Sequence, residues 1–249
     1  MKTKLTLIIV VLFMTGFTYA QTADEIVNNY FENTGGAEAW GNLKSMKIQA
    51  KVNQGGMEIP LEIVSMKDGR QYTKISLQGN SFMQGVFDGE TLWNMNFQSM
   101  KAEKADAEAT ANQKLDANDF PYDLYNYKEK GYKLELVGEE KVEGTDTYKL
   151  KLTKEPISVD GAKVDKVSFY YFDKDNFIIL MQEEEILSGP AKGNISQVVF
   201  SDYDEVDGLY FPFSMTQGIK DGQSQPIIIE SIVANPVVDE SLFAFPSGQ

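Results

Sequence analysis

Three consecutive glutamates, Glu183, Glu184 and Glu185, form the densest group of side chains in this chain that could do acid–base work. Carboxylate catalysis needs two such groups with their pKa values pushed apart, one kept protonated and one ionised. In a strand the three alternate faces, so at most Glu183 and Glu185 share a side, and a solvated strand explains them more simply. A second acidic group, Asp202, Asp204, Glu205 and Asp207 ahead of Gly208, resembles a calcium loop. An EF-hand requires oxygen ligands at loop positions 1, 3 and 5 and a glutamate at 12. Counted from Asp202, the fifth position is Val206 and the twelfth Phe213, so a charged hairpin turn is the better reading. Asp173, Asp175 and Asn176 likewise read as a turn between strands rather than a cation site.

The remaining catalytic chemistries lack their residues. The 249 residues contain no His and no Cys. That excludes disulfide frameworks, zinc sites on Cys or His, haem on His, and nucleophiles activated by His. Neither a GxSxG elbow, a phosphate loop nor a dinucleotide fingerprint is present. Lys and Arg number 23 against 37 Asp and Glu, for a net charge of -14. Arg70 is the sole arginine, so a nucleic-acid groove is not expected. No catalytic residue, metal ligand or cofactor is assigned, and function must rest on shape and apolar surface.

The N-terminus reads as an export signal. Lys2 and Lys4 precede an apolar run from Leu5 to Phe17, and Thr18-Tyr19-Ala20 offers small residues at the -3 and -1 positions of a cleavage site. The run is too short for a membrane anchor, which needs about 20 apolar residues. Cleavage after Ala20 leaves one expected domain, residues 21–249, beginning at Gln21 with a charge of -16 once both signal lysines are gone.

In the mature chain Thr22-Ala-Asp-Glu25 is a capping box. It opens a helix whose stripe is Ile26, Val27, Tyr30 and Phe31 and whose stop is Gly35-Gly36. A short second helix, Ala37 to Leu43, carries Trp40. From Ser45 the hydrophobic period falls from 3.6 to 2, with Met46, Ile48, Ala50 and Val52 alternating against polar residues, then Met57, Ile59, Leu61 and Ile63 after a Gly55-Gly56 turn. Strands are expected near 45–53, 57–66, 71–78, 82–87, 91–97, 132–142, 145–153, 164–172, 178–186, 195–204, 209–217 and 225–234. Asp-Gly at 68, 88, 160, 207 and 221 supplies hairpin turns of the type I′ kind. The chain therefore reads as an antiparallel meander of 11–12 strands, too many to stay flat, curled into a closed or half-open β-barrel. Ser99 to Asn118, rich in Ala, Glu, Lys and Gln, breaks the pattern. It reads either as a solvated helix or mobile loop, or as a weakly packed lid across the barrel mouth.

Eight of the ten methionines, at 46, 57, 66, 83, 95, 100, 181 and 215, follow the signal and are interleaved with aromatic residues. Each alone is explained by core packing. A curled sheet of this size can nonetheless enclose volume that side chains do not fill, and thioethers suit varied apolar ligands. The expected cavity wall is Met46, Ile48, Ile59, Leu61, Ile63, Trp93, Met95 and Phe97, with Ile26, Tyr30 and Phe31 on the helix covering it. Alternation fixes parity only within each strand, so either face could be the inner one.

The layout resembles the LolA-like group, periplasmic proteins that sort outer-membrane lipoproteins in Bacteroidetes-type bacteria. The likeness is carried by Gly35-Gly36-Ala37-Glu38-Ala39-Trp40, by Val86-Phe87-Asp88-Gly89-Glu90-Thr91-Leu92-Trp93, by Tyr203 to Pro212, and by Leu242-Phe243-Ala244-Phe245-Pro246. The resemblance implies a half-open antiparallel barrel of about eleven strands, with N-terminal and lid helices on the concave side and acyl chains held in an apolar cavity. It further implies a soluble, monomeric carrier that takes lipoproteins from an inner-membrane ABC transporter to an outer-membrane receptor. An early-strand arginine anchors the lid in better-known members; here Arg70 stands beside the Asp68-Gly69 turn instead. The same fold serves as an envelope-stress sensor or a lipopolysaccharide binder, which keeps a lipid-sensing regulatory module open as an alternative. A carboxylate-dependent glycan hydrolase is the remaining rival.

Overall fold

The structure is a computed structural model that describes residues 21–246. The export signal and its cleavage after Ala20 lie outside the described residues. Helix α1 (Ala23–Asn33) begins as the capping box requires, with the Glu25 amide donating to Thr22 Oγ1 at 3.2 Å and the Thr22 amide to Glu25 Oε2 at 2.8 Å. It ends at Gly35, whose φ of 119° no β-carbon tolerates easily. A β-carbon there would also lie 2.2 Å from the Gly208 carbonyl oxygen, so glycine alone lets the helix end dock on a hairpin turn. Helix α2 (Ala37–Asn42) follows at once and buries Trp40, whose indole N–H donates to the Thr34 carbonyl at 3.2 Å and hydroxyl at 3.1 Å.

The strands, in order, are β1 (Ser45–Gln54), β2 (Met57–Met66), β3 (Gln71–Leu77), β4 (Asn80–Phe87), β5 (Leu92–Met95), β6 (Ala102–Lys104), β7 (Lys133–Val142), β8 (Thr145–Thr153), β9 (Ile157–Val159), β10 (Ala162–Val164), β11 (Val167–Asp173), β12 (Ile179–Glu185), β13 (Ile195–Val206), β14 (Leu209–Ile219) and β15 (Ser224–Ala234). Thirteen form one antiparallel sheet in the order β6-β5-β4-β3-β2-β1-β15-β14-β13-β12-β11-β8-β7, and β9 and β10 form a separate hairpin. The sheet is a half-open barrel: β6 and β7 end it without meeting.

The expected strands are present with small shifts at their ends, and three features depart from expectation. The order is not a plain meander, because β1 pairs with β15 and joins the first long strand to the last. The single strand expected at 164–172 is split, its first residue belonging to the β9–β10 hairpin. In the 99–118 segment only Ala107–Asp116 is α-helix (α3), and Ala102–Lys104 adds an edge strand to β5. All five Asp-Gly pairs do turn the chain between consecutive strands, but only Asp160-Gly161 and Asp207-Gly208 have both φ values positive.

Helix α1 covers the inner face of this sheet. Register carries apolar rows across the strands: Ile48 stands opposite Ile63 and Ile232, Ala50 opposite Leu61 and Ile229, and Val52 opposite Ile59 and Ile227. The second row extends through Leu61 to Ile75 of β3, and the third through Ile227 to Met215 and Phe200. Leu150 and Leu152 of β8, Tyr170 and Phe172 of β11 and Phe211 of β14 complete the core beneath α1.

The outer face holds a second cluster of Val64, Tyr72, Val86 and Trp93, covered by Phe243 of a C-terminal 3-10 turn, Glu240–Phe243. The Trp93 indole donates to the Phe243 carbonyl at 3.0 Å. Arg70 stacks its guanidinium 5.1 Å from the Phe243 ring centroid and reaches Glu240 at 3.4 Å. The one arginine thus fastens the C-terminal segment to the sheet. Phe243 is 1 % exposed, so Phe243→Ala should cost about 3–5 kcal/mol through lost burial and an unfilled cavity, read as a lower midpoint in urea denaturation.

Candidate functional site

The inner face gathers five of the eight expected wall residues. Met46, Ile48 and Leu61 pack against the core under α1, and the register puts Ile59 and Ile63 on the same side. All five are half-buried. Phe200, Phe213 and Met215 on β13 and β14 are also half-buried and packed against that core. The covering residues Ile26, Tyr30 and Phe31 are 0 %, 1 % and 4 % exposed.

Trp93, Met95 and Phe97 do not join them. Trp93 and Met95 belong to the outer cluster with Val64 and Tyr72, so the assignment of a shared cavity wall is corrected for both. Strand-by-strand alternation could not show this, because β3 and β4 shift register between Gln71 and Thr73. Phe97 lies beyond the end of β5 and is 52 % exposed, with its ring 4.7 Å from that of Phe82.

Much of the inner space is occupied by the stretch from Phe120 to Tyr132, between α3 and β7. Tyr122 sets its ring edge-on to Trp40 at 5.2 Å and to Tyr30 at 6.3 Å, and Tyr125 does the same to Phe31 at 5.5 Å. Trp40 continues the contact to Phe211 at 5.0 Å. Burial pushes the Tyr30 hydroxyl well above its ordinary pKa and that of Tyr122 up to about 12, so both stay neutral. A cleft of about 420 Å³ opens between α1 and residues 124–129, within the range of small-molecule pockets. Another, of about 180 Å³, lies between Met46 and residues 116–121.

A knot of charge holds this stretch to the sheet. Lys154, at the end of β8 and 9 % exposed, pairs with Asp119 and lies 3.6 Å from Asp116 and 3.9 Å from Asp123. Tyr132 donates to Asp119 at 2.8 Å, and Tyr170 donates to both Asp123 oxygens at 2.8 and 2.7 Å. Lys166 bridges to Asp116 at 2.8 Å. Burial alone would lower the Lys154 pKa, but Asp123 and Asp119 outweigh it and the amine stays charged. Burial raises the Asp123 carboxyl even against Lys154 and Tyr170, while Lys130, which donates to the Tyr122 carbonyl at 2.9 Å, is pulled down by burial.

Helix α3 has no fully buried residue and is held by polar bonds. Asn112 exchanges two hydrogen bonds with the Ser158 backbone at 2.7 and 2.9 Å, and Glu108 accepts the Asp160 and Gly161 amides at 2.9 and 2.8 Å. It thereby ties the β5–β6 end of the sheet to the β9–β10 hairpin.

The three glutamates are divided between the two faces of β12. Glu183 faces outward, 5 % exposed, and accepts from Tyr171 at 2.7 Å, Gln197 at 2.8 Å and Lys220 at 2.8 Å. Burial pushes its pKa up, but Lys220, Tyr171 and Gln197 together hold it below the usual carboxylate value. Glu184 takes the other face, accepting from Ser168 at 3.1 Å, and Glu185 is exposed at the strand end. Asp173 accepts the Asp175 and Asn176 amides at 2.7 and 2.9 Å, as a turn residue does. Among the described residues no three acidic side chains are grouped to hold a metal ion.

No protein-family model and no curated protein matches this chain. Solved structures do. A LolA superfamily protein from Nitrosomonas europaea aligns over 90 % of this chain and 98 % of its own, with a TM-score of 0.54 at 15 % identity. The fold is LolA-like. A DUF1329 family protein from Desulfovibrio piger aligns over 90 % and 98 %, with a TM-score of 0.54 at 16 % identity. A domain described as an outer-membrane lipoprotein-sorting protein from Vibrio parahaemolyticus aligns over 89 % and 97 %, with a TM-score of 0.52 at 12 % identity. At such identities the likeness is one of fold.

Sequence reasoning missed the Phe120–Tyr132 stretch and the charge knot. The signal was present in Tyr122, Tyr125, Tyr127 and Tyr132, a density of rings with no strand alternation to explain it. Removing the central cation, Lys154→Met, should destabilise the protein by about 3–5 kcal/mol in urea denaturation, because Asp119 and Asp123 are left buried without it. Glu183 yields a prediction with a defined sign. A depressed folded pKa contributes stability above the unfolded value near 4.5, and that stability is lost as pH falls through the folded value. Melting curves between about pH 3 and pH 7 should therefore show a flatter acid limb for Glu183→Gln than for the wild type.

Proposed function

We propose that the chain is exported to the periplasm and binds acyl chains of lipids or lipid-modified proteins against the inner sheet face. It then carries them towards the outer membrane and catalyses no reaction. The observation that carries this reading is the apolar strip on β1, β2, β13 and β14, whose residues stay half-buried because helices and an irregular stretch cover them instead of a second sheet. The export signal read from the sequence and the description of the Vibrio parahaemolyticus domain support it. Loading from an inner-membrane ABC transporter and unloading to an outer-membrane receptor would complete the route, with the carrier acting as a monomer.

The energetics suit carriage. Each buried methylene contributes about 0.8 kcal/mol, so a chain buried along its whole length would be held too tightly to release. Partial burial along a strip leaves an affinity that a change in the cover can reverse. The net charge of -14, which loss of Lys2 and Lys4 with the signal makes -16, keeps such a protein off anionic lipid surfaces.

Protein purified from its own periplasm should carry lipid or acyl-peptide adducts in native mass spectrometry and should bind dansyl-undecanoic acid. Leu61→Asp should weaken that binding roughly ten- to a hundredfold, the equivalent of one large side chain's burial. Depletion in the cell should leave lipoproteins mislocalised. Adduct-free protein that ignores the probe would overturn the reading, and altered stress signalling with normal sorting would favour a sensor.

A further inference from the structure

The inner face changes character towards the end of the sheet where β12 passes into β13. Phe200, Met215 and Ile227 form an apolar row across β13, β14 and β15. One row further on, Val198 stands on the same face of β13, flanked by Gln182 of β12 and Gln217 of β14, and Gln217 in turn faces Gln225 of β15. The row after that sets Glu184 beside Ser196. Apolar surface thus gives way to hydrogen-bonding groups within two rows.

A cleft of about 380 Å³ opens there, walled by Gln182, Glu184, Ser196 and Val198 of the sheet and by Ile157 and Lys166 on either side of the β9–β10 hairpin. Its volume is that of a small-molecule pocket. Because Val198 and Phe200 share a face of one strand, the cleft continues the apolar strip.

The charge of this cleft is one-sided. Among the described residues that wall it Lys166 is the one cation, and it is engaged by Asp116 at 2.8 Å and lies 3.9 Å from Glu184. Glu185 adds a second carboxylate to the lining. A phosphate seated there would give up its water and meet carboxylates with no free cation to pair with. By contrast, the Gln182 amide and the Ser196 hydroxyl have no hydrogen-bond partner among the described residues. They can serve a head that carries no charge, and the two glutamates accept from any N–H or O–H it bears.

We propose that this cleft seats the head of the acylated ligand and selects an uncharged, hydrogen-bond-donating head, an amide or a polyol, over a phosphate, while the tail runs past Val198 onto Phe200 and Met215. The inference rests on the acyl-binding reading above and names the class of molecule that its site accepts. Selection of this kind works by repulsion. It separates amide- or hydroxyl-headed acyl molecules from anionic lipids that carry the same tails.

Displacement of dansyl-undecanoic acid from the exported chain by N-lauroyl glycinamide, monolaurin and dodecyl phosphate, whose tails are equal in length, tests this directly. At least one uncharged competitor should displace the probe at a concentration roughly fivefold or more below that of dodecyl phosphate, and the better of the two identifies a peptide-like or a glyceride-like source. Raising the salt from about 0.01 M to about 0.15 M shortens the reach of charge from about 30 to about 8 Å, so the preference should narrow roughly twofold or more. Ser196→Lys, which puts a free cation in the cleft, should narrow it roughly threefold or more. Dodecyl phosphate competing as well as both uncharged molecules, or a preference unmoved by salt or by a folded Ser196→Lys, would overturn the head cleft and leave the acyl-binding reading standing. No binding of the probe or of any competitor would overturn both. The salt series on the wild type decides the matter even if Ser196→Lys does not fold.

Discussion

An antiparallel sheet of thirteen strands that does not close leaves one apolar face uncovered, and the rest of this structure answers that constraint. A closed barrel would fill its interior with its own side chains, and a sandwich would lay a second sheet across it. Here β6 and β7 never meet, so α1, α2 and the Phe120–Tyr132 tongue supply the cover. Helices and loops cannot match a pleated surface row for row. The mismatch is why Ile48, Ile59, Leu61 and Ile63 stay half-buried on a face that is otherwise core.

The two halves of that cover are attached by different physics. Helix α1 is held by burial, with Ile26, Val27, Tyr30 and Phe31 almost entirely withdrawn from solvent. The tongue combines aromatic contacts with the charge knot around Lys154. A buried ion pair adds little net stability, since desolvation offsets most of the attraction, but its partners tolerate few alternative positions. An apolar anchor would hold the tongue with little positional preference. The ionic anchor gives it one defined seat.

Local rules carried the reading of the sequence far. The capping box placed α1, the change of period at Ser45 placed the first hairpin, and Asp-Gly marked real turns. The strip of Met46, Ile48, Ile59, Leu61 and Ile63 followed because β1 and β2 pair without interruption. Trp93 and Met95 escaped because face parity does not pass through a register shift, and the pairing of β1 with β15 depends on contacts nearly two hundred residues apart. The tongue and the knot were illegible for another reason. Their charges come from an irregular stretch, a strand end and a strand face that only the folded chain brings together, and no spacing in the sequence announces such a meeting.

The glutamates that first suggested catalysis illustrate how a sheet disposes of charge. Glu183 and Glu184 are neighbours in sequence, yet the pleat sends them to opposite faces and to different partners. Outside, Lys220, Tyr171 and Gln197 satisfy Glu183 so fully that it remains ionised though buried. Inside, Glu184 bonds to Ser168 and approaches Lys166, the lysine that also holds Asp116 at the end of α3. It extends the Lys154 knot by one more carboxylate, so the same alternation that separates Glu183 from Glu184 helps to fasten the cover over the apolar face.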